Sequence, residues 1–171
     1  MLQPDLTGVA IPAVRLGYLQ NGELFTVWAN KFFAEGRTIV LGVPGAFTPV
    51  CSTQHIPDFI RSAEKFKAFG FRQLVCIAPN DPFALDAWAR HVDPEGKIRF
   101  LSDGNLEFTR ALGVASVNTD LFIGVRSQRY LMVVEDGTIV RLRIEPDILT
   151  YGCSTADEAL SAAEALDIML I

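Results

Sequence analysis

The sequence predicts an α/β fold, a mixed central β-sheet flanked by helices on both faces. Three observations carry this. Arg37–Val43 and Gln73–Ala78 are near-continuous apolar, β-branched runs, as expected of strands covered on both sides. Segments with helical start and stop signals follow each of them. Near the end, two alternating runs flank Asp136-Gly137, a hairpin signal that adds antiparallel strands. Strand–helix alternation closed by a hairpin and a last helix places helices on both sides of one sheet.

In chain order, Glu23–Trp28 reads as an early strand and Arg37–Val43 as the first buried one, ending at Pro44-Gly45. Pro49–Phe69 reads as one helix with Phe59, Ala63, Phe66 and Ala68 toward the interior. Pro57 should bend it, because it lacks a donor and crowds the preceding turn, and Gly70 should close it. Gln73–Ala78 is the second buried strand. Asp81 is set to cap, and Pro82 to open, a helix running to about His91. Lys97–Leu101 is a third strand and Asn105–Leu112 a short helix. Arg129–Glu135 and Thr138–Ile144 form the hairpin, and Thr155-Ala-Asp-Glu158 is a capping box opening a helix that runs nearly to the C-terminus.

The chain has 171 residues, half of them hydrophobic and a fifth charged, which fits one domain, residues 1–171, with a sizeable core. Fifteen basic against twenty acidic side chains, with no basic run, argue against a nucleic-acid binder. The longest apolar stretches, such as Thr38–Val43, are far too short to span a membrane, and Met1–Pro12 lacks the pattern of a secretory signal. Three cysteines without a CxxC pair do not make a secreted disulfide framework. The expectation is a soluble, cytoplasmic protein with thiols that are either inert or reactive.

Pro44-Gly-Ala-Phe-Thr-Pro-Val-Cys51 concentrates the chemistry. Thr48 suits an N-cap and Pro49 the first helical position, which puts Cys51 in the first turn. Unsatisfied backbone N–H groups and the positive helix end there favour the thiolate, the nucleophilic form. Cysteine at a helix start can also be plain apolar filler, but the Thr-Pro flank and the strand-to-helix turn favour reactivity. His55, four residues on, shares a helical face with Cys51. Two ligands without a second pair make a poor metal site, so His55 reads as packing or orientation.

This stretch resembles the active-site signature of the peroxiredoxins, specifically the type II or type 5 (atypical two-cysteine) branch. Val75–Phe83, Trp88, Gly96-Lys97, Gly124-Val-Arg126, Arg129-Tyr130 and Val133–Gly137 also resemble that branch, in order, so the likeness runs from about Ile11 to Cys153. The resemblance implies a thioredoxin-like fold and a peroxidase acting on hydrogen peroxide and organic hydroperoxides, with no metal or other cofactor. By it, Cys51 is the peroxidatic cysteine and becomes a sulfenic acid. Thr48 would hydrogen-bond thiolate and peroxide, Pro44 would shield the sulfur from water, and Arg129 would stabilise both the thiolate and the leaving oxygen, with Arg126 in support.

Two thiols are left to resolve that sulfenic acid. Cys76 lies in an apolar strand and reads as core, although plant-type relatives carry a functional thiol there. Cys153 lies in a loop before the capping box. Its spacing from Glu145-Pro-Asp147 resembles the resolving segment of animal-type members, which implies a Cys51–Cys153 disulfide reduced by thioredoxin. Ile148-Leu-Thr-Tyr151 replaces the glycine-bearing loop of that pattern. Capture by glutathione, with glutaredoxin completing the cycle, is the alternative. Two other classes stay open: a cysteine hydrolase using His55 or His91 as base, and a thioredoxin-like redox sensor without turnover. Phe47, Phe83 and Trp88 are the expected apolar surface of a homodimer, unless they pack inside.

Overall fold

Alternation along the central strands divides the interior into two cores. A computed structural model describes residues 3–169. The chain runs through β1 (Arg15–Gln20), β2 (Glu23–Trp28), the single turn α1 (Ala29–Phe32) and β3 (Arg37–Gly42). Next come a π turn (Cys51–His55), α2 (Ile56–Arg61), α3 (Ala63–Ala68), β4 (Phe71–Ala78), α4 (Pro82–Val92) and β5 (Arg99–Ser102). After α5 (Glu107–Ala111) a small hairpin, β6 (Ala115–Asn118) and β7 (Gly124–Ser127), stands apart from the main sheet. The chain returns through β8 (Tyr130–Glu135) and β9 (Thr138–Ile144) to α6 (Ala156–Met169).

The seven-stranded sheet has the order β2-β1-β5-β4-β3-β8-β9. Strands β3, β4 and β5 are parallel, while β1 joins β5, and β8 joins β3, antiparallel. Ile39, Leu41, Leu74, Cys76, Leu131 and Val133 point to one face, where they meet Phe59, Phe66 and Trp88 of the helices and Ala159 and Ala163 of α6. Val40, Val75, Ile77, Met132 and Val134 point to the other, against Phe33, Phe108 and Leu112. Two buried faces explain why the central strands read as unbroken apolar runs.

Several sequence expectations need correction. Pro49–Phe69 is not one bent helix. Ile56 N–H bonds Cys51 O across a widened π turn just ahead of Pro57, and Ser62 then separates α2 from α3. Pro57 has no N–H to offer the carbonyl of Thr53, and its ring crowds that carbonyl, so the turn opens instead of kinking. Phe59 and Phe66 are buried as expected, Ala63 is only partly so, and Ala68 is exposed. Strand β1, the hairpin β6–β7 and α1 carried no sequence signal strong enough to read. The capping box forms by half: Thr155 Oγ1 accepts from Glu158 N–H at 3.2 Å, but the Glu158 carboxylate turns to Arg141 and Arg143. Asp81 does cap α4, accepting from the N–H groups of Phe83 and Ala84.

Gly42, at the end of β3, lies flat against the Tyr130 ring across the β3–β8 pair, and a Cβ there would overlap the ring. Gly42→Ala is therefore expected to lower stability by about 1–3 kcal/mol through overpacking, read as a lower urea midpoint at unchanged m-value.

Candidate active site

Strand register builds the site. The antiparallel β3–β8 pair sets Gly42 opposite Tyr130, so Arg129, one residue before β8, arrives beside the chain leaving β3. On the other side β4 runs parallel to β3, and Asn80, just beyond its end, reaches the same place. Asn80 Oδ1 accepts from Ala46 N–H at 2.8 Å and holds the turn between β3 and the helix that begins at Pro49. Pro44 and Gly45 are buried beneath that turn, and Phe47, at φ +59°, projects outward. Arg126 lies alongside Gly45, its Nε donating to Ile123 O at 2.8 Å.

Cys51 is fully buried in the first turn. Two side chains reach its sulfur: Thr48 Oγ1 at 2.8 Å and Arg129 Nη1 at 3.2 Å. The Thr48 hydroxyl also lies 2.7 Å from Gly45 O. With a single proton it accepts from the thiol while donating to that carbonyl, or it donates to the thiolate. It caps no backbone N–H, contrary to the sequence expectation, because the sulfur occupies it. The polar groups on the sulfur are thus side chains rather than the helix N–H groups that the sequence pointed to.

Arg129 is 1% exposed. Its Nη2 donates to Ile148 O at 2.8 Å, and its Nη1 is shared between Cys51 Sγ and His55 Nδ1, the latter at 3.1 Å. A guanidinium has no lone pair to accept with, so Nδ1 accepts and His55 is neutral. Among the described residues Arg129 makes no ion pair with a carboxylate. A buried cation needs a polar partner, and Arg129 turns its Nη1 toward the Cys51 sulfur.

His55 is fully buried, and its pKa is held well below the ordinary 6.5, first by burial and then by Arg129. The unfolded chain therefore binds a proton below pH 6.5 that the folded protein refuses, so stability falls as pH drops. The slope from this residue approaches about 1.4 kcal/mol per pH unit below 6.5. Between pH 6.5 and 5, His55→Gln is expected to flatten the dependence of the urea midpoint on pH.

The hydrolase arrangement is not assembled: Arg129 takes the imidazole of His55, and His91 lies against Phe47, ring centres 6.1 Å apart. Among the described residues no group of three or more His, Cys, Asp or Glu is placed to hold a metal, and no helix is long and apolar enough to cross a membrane. Trp88 is not surface; it is fully buried and donates to Ser52 Oγ at 3.0 Å. Phe47 and Phe83 are 59% and 63% exposed. Cys76 is fully buried in the core that contains Cys51, its thiol pushed well up by burial and then by the neighbouring Cys51. Cys153 is partly exposed, its thiol pushed up to about 11 by burial and then by Glu145. All three cysteines are free.

Sequence reasoning did not assign Asn80, Glu145 and Tyr151 to this neighbourhood. Asn80 stood inside a motif whose likeness was noted, but its contact with Ala46 N–H follows only from the parallel register.

A sheet of this topology carrying a buried cysteine between a threonine hydroxyl and an arginine defines a thioredoxin-like thiol enzyme. Comparison makes this specific. The chain belongs to the redoxin family, whose family model matches residues 6–160, and within it to the type II peroxiredoxins. It is 33% identical to Peroxiredoxin-2B of Arabidopsis thaliana over 94% of this chain and 99% of that relative. Reduced Prx3 of Vibrio vulnificus in complex with hydrogen peroxide superposes with a TM-score of 0.87 at 33% identity, covering 94% and 97% of the two chains. Peroxiredoxin 5 of Alvinella pompejana gives 0.82 at 36% identity, over 95% and 99%. The protein is a thiol peroxidase that takes a peroxide and a thiol reductant.

Proposed function

We propose that Cys51 is the peroxidatic residue of one domain spanning residues 1–171. The observation that carries this is the sulfur held between Thr48 Oγ1 and the buried Arg129, which pairs with no carboxylate among the described residues. The thiolate attacks the terminal oxygen of a hydroperoxide, the O–O bond breaks, and the departing oxygen takes a proton to leave as water or an alcohol. Cys51 is left as a sulfenic acid. Thr48 orients the peroxide, Arg129 stabilises charge on both oxygens as it shifts, and Pro44 keeps water from the sulfur.

Cys153 resolves the sulfenic acid and thioredoxin reduces the resulting disulfide. Support comes from its place in the segment whose Ile148 carbonyl touches Arg129. Cys76, embedded in the core with a raised pKa, fits a packing role better. Mapping the reduced protein without reductant after one equivalent of peroxide should reveal a Cys51–Cys153 disulfide. Cys153→Ser should lose thioredoxin-supported turnover while still consuming about one equivalent of peroxide. Unchanged thioredoxin kinetics in that variant would remove Cys153 from the cycle. The exposed Phe47 and Phe83 support a homodimer formed near the turn, and three cysteines without a CxxC pair fit a reducing, cytoplasmic setting.

A further inference from the structure

The segment between β9 and α6 holds Cys153, and it is tied down on both sides of that residue. Glu145 Oε1 accepts from the N–H groups of Gly152, Cys153 and Ser154 and from Ser154 Oγ, all within 2.8 Å. Ile148 O takes Arg129 Nη2. The Tyr151 ring packs on the His55 ring with centres 5.1 Å apart. The Tyr151 hydroxyl donates to Asp58 Oδ2 in α2, and the same oxygen accepts Ala156 N–H at 2.9 Å. Burial and Asp58 push the Tyr151 pKa up, so the phenol keeps the proton it donates. Cys153 Sγ meanwhile faces Ile144 O at 3.4 Å, while Cys51 Sγ is engaged by Thr48 and Arg129.

Two of these ties end beside Cys51: one on Arg129, which reaches its sulfur, and one, through the Tyr151 ring, on His55, which bonds Arg129. The closed segment therefore completes the peroxide-reducing pocket while keeping the Cys153 thiol bonded elsewhere. We propose that Tyr151 is a positioning residue, a latch whose hydrogen bond to Asp58 keeps the Cys153 segment closed over Arg129 and His55 during peroxide reduction and must break before Cys153 attacks. This rests on the resolving role given to Cys153 above. In that step the Cys153 sulfur attacks the sulfenic sulfur of Cys51, an S–S bond forms and the S–O bond breaks. The hydroxyl leaves as water with the Cys153 proton; the Cys153 sulfur is oxidised and the Cys51 sulfur reduced. Opening also withdraws Ile148 O from Arg129, so the pocket slackens as the segment opens.

Tyr151→Phe keeps the ring on His55 and removes the latch. Full-length reduced protein is mixed with one equivalent of hydrogen peroxide, quenched with an alkylating agent at timed intervals, and mapped by mass. Cys51 oxidation is expected within twofold of wild type, while the Cys51–Cys153 disulfide appears about three- to tenfold faster, the factor one net hydrogen bond provides. At excess peroxide, a smaller share of Cys51 should reach the sulfinic state. Asp58→Asn, close in shape, should move the same two readouts in the same direction. Equal disulfide rates in wild type and Tyr151→Phe overturn the latch and leave the role of Cys153 standing. Slower Cys51 oxidation with an unchanged disulfide rate also overturns it, since Tyr151 would then only shape the pocket. No Cys51–Cys153 disulfide in either protein overturns the reading of Cys153 and the latch with it.

Discussion

Cys51→Ser is expected to abolish peroxidase activity with every reductant, a loss of roughly 10⁴-fold or more, the order seen when an enzyme's nucleophile is deleted. Serine differs by one atom and keeps a hydrogen-bonding group in the same cage, so Thr48 and Arg129 retain a partner and the fold should survive. What disappears is the chemistry. A hydroxyl does not ionise near neutral pH even beside a guanidinium, and oxygen does not climb the ladder of oxidation states open to sulfur. The variant also leaves Arg129 buried without an anion, so a modest loss of thermal stability should accompany the loss of rate. Peroxide consumption with dithiothreitol, measured beside a thermal melt, separates the two effects. A folded variant retaining more than a hundredth of the wild-type rate would remove Cys51 from the centre of the mechanism.

Much of this site was legible from local sequence because its left half is local. Turn, Thr48, Pro49 and Cys51 fall within eight residues of Pro44, and strand-to-helix punctuation around them is strong. Its right half is not. Arg129 stands 78 residues away, and only the β3–β8 register brings its guanidinium to the sulfur. Without the family likeness nothing distinguished it from Arg126. The central strands β3, β4 and β8 were legible because they are buried on both faces and read as unbroken apolar runs. The edge strand β2 and its neighbour β1 differ in this respect. Glu23–Trp28 has the β-branched and aromatic content of a strand, whereas Arg15–Gln20, interrupted by Gly17, owes its pairing to β2 and to one bridge with β5. The widened turn at Cys51 was invisible because Pro57 predicts a disturbance, not the form it takes. Trp88 was misplaced for a related reason: a tryptophan near an active-site motif reads as surface or core with equal ease until the Ser52 hydroxyl is seen to satisfy its N–H.

Arg129→Gln is expected to lower the second-order rate of Cys51 oxidation by about 10²–10³-fold, the range found when a preorganised donor is removed from a developing negative charge. At an effective dielectric of about 20, opposite unit charges at the 3.2 Å separation of Nη1 and Sγ attract by about 5 kcal/mol. The loss in rate corresponds to about 3–4 kcal/mol, smaller because Thr48 stays and a glutamine amide donates one hydrogen bond of its own. Arg129→Lys should fall between the two. Lysine restores the charge but not the fork, and one ammonium cannot take the geometry that now serves Cys51 Sγ, His55 Nδ1 and Ile148 O together. The ordering wild type, Lys, Gln therefore separates charge from shape. A Lys variant near wild type would make charge the main contribution, and one as slow as Gln would make the fork decisive. Single-turnover oxidation of Cys51, followed by alkylation and mass, reads this step without involving Cys153 or a reductant. A Gln variant within threefold of wild type would mean that the buried cation holds the segment at Ile148 and leaves the chemistry to Thr48 and the sulfur alone.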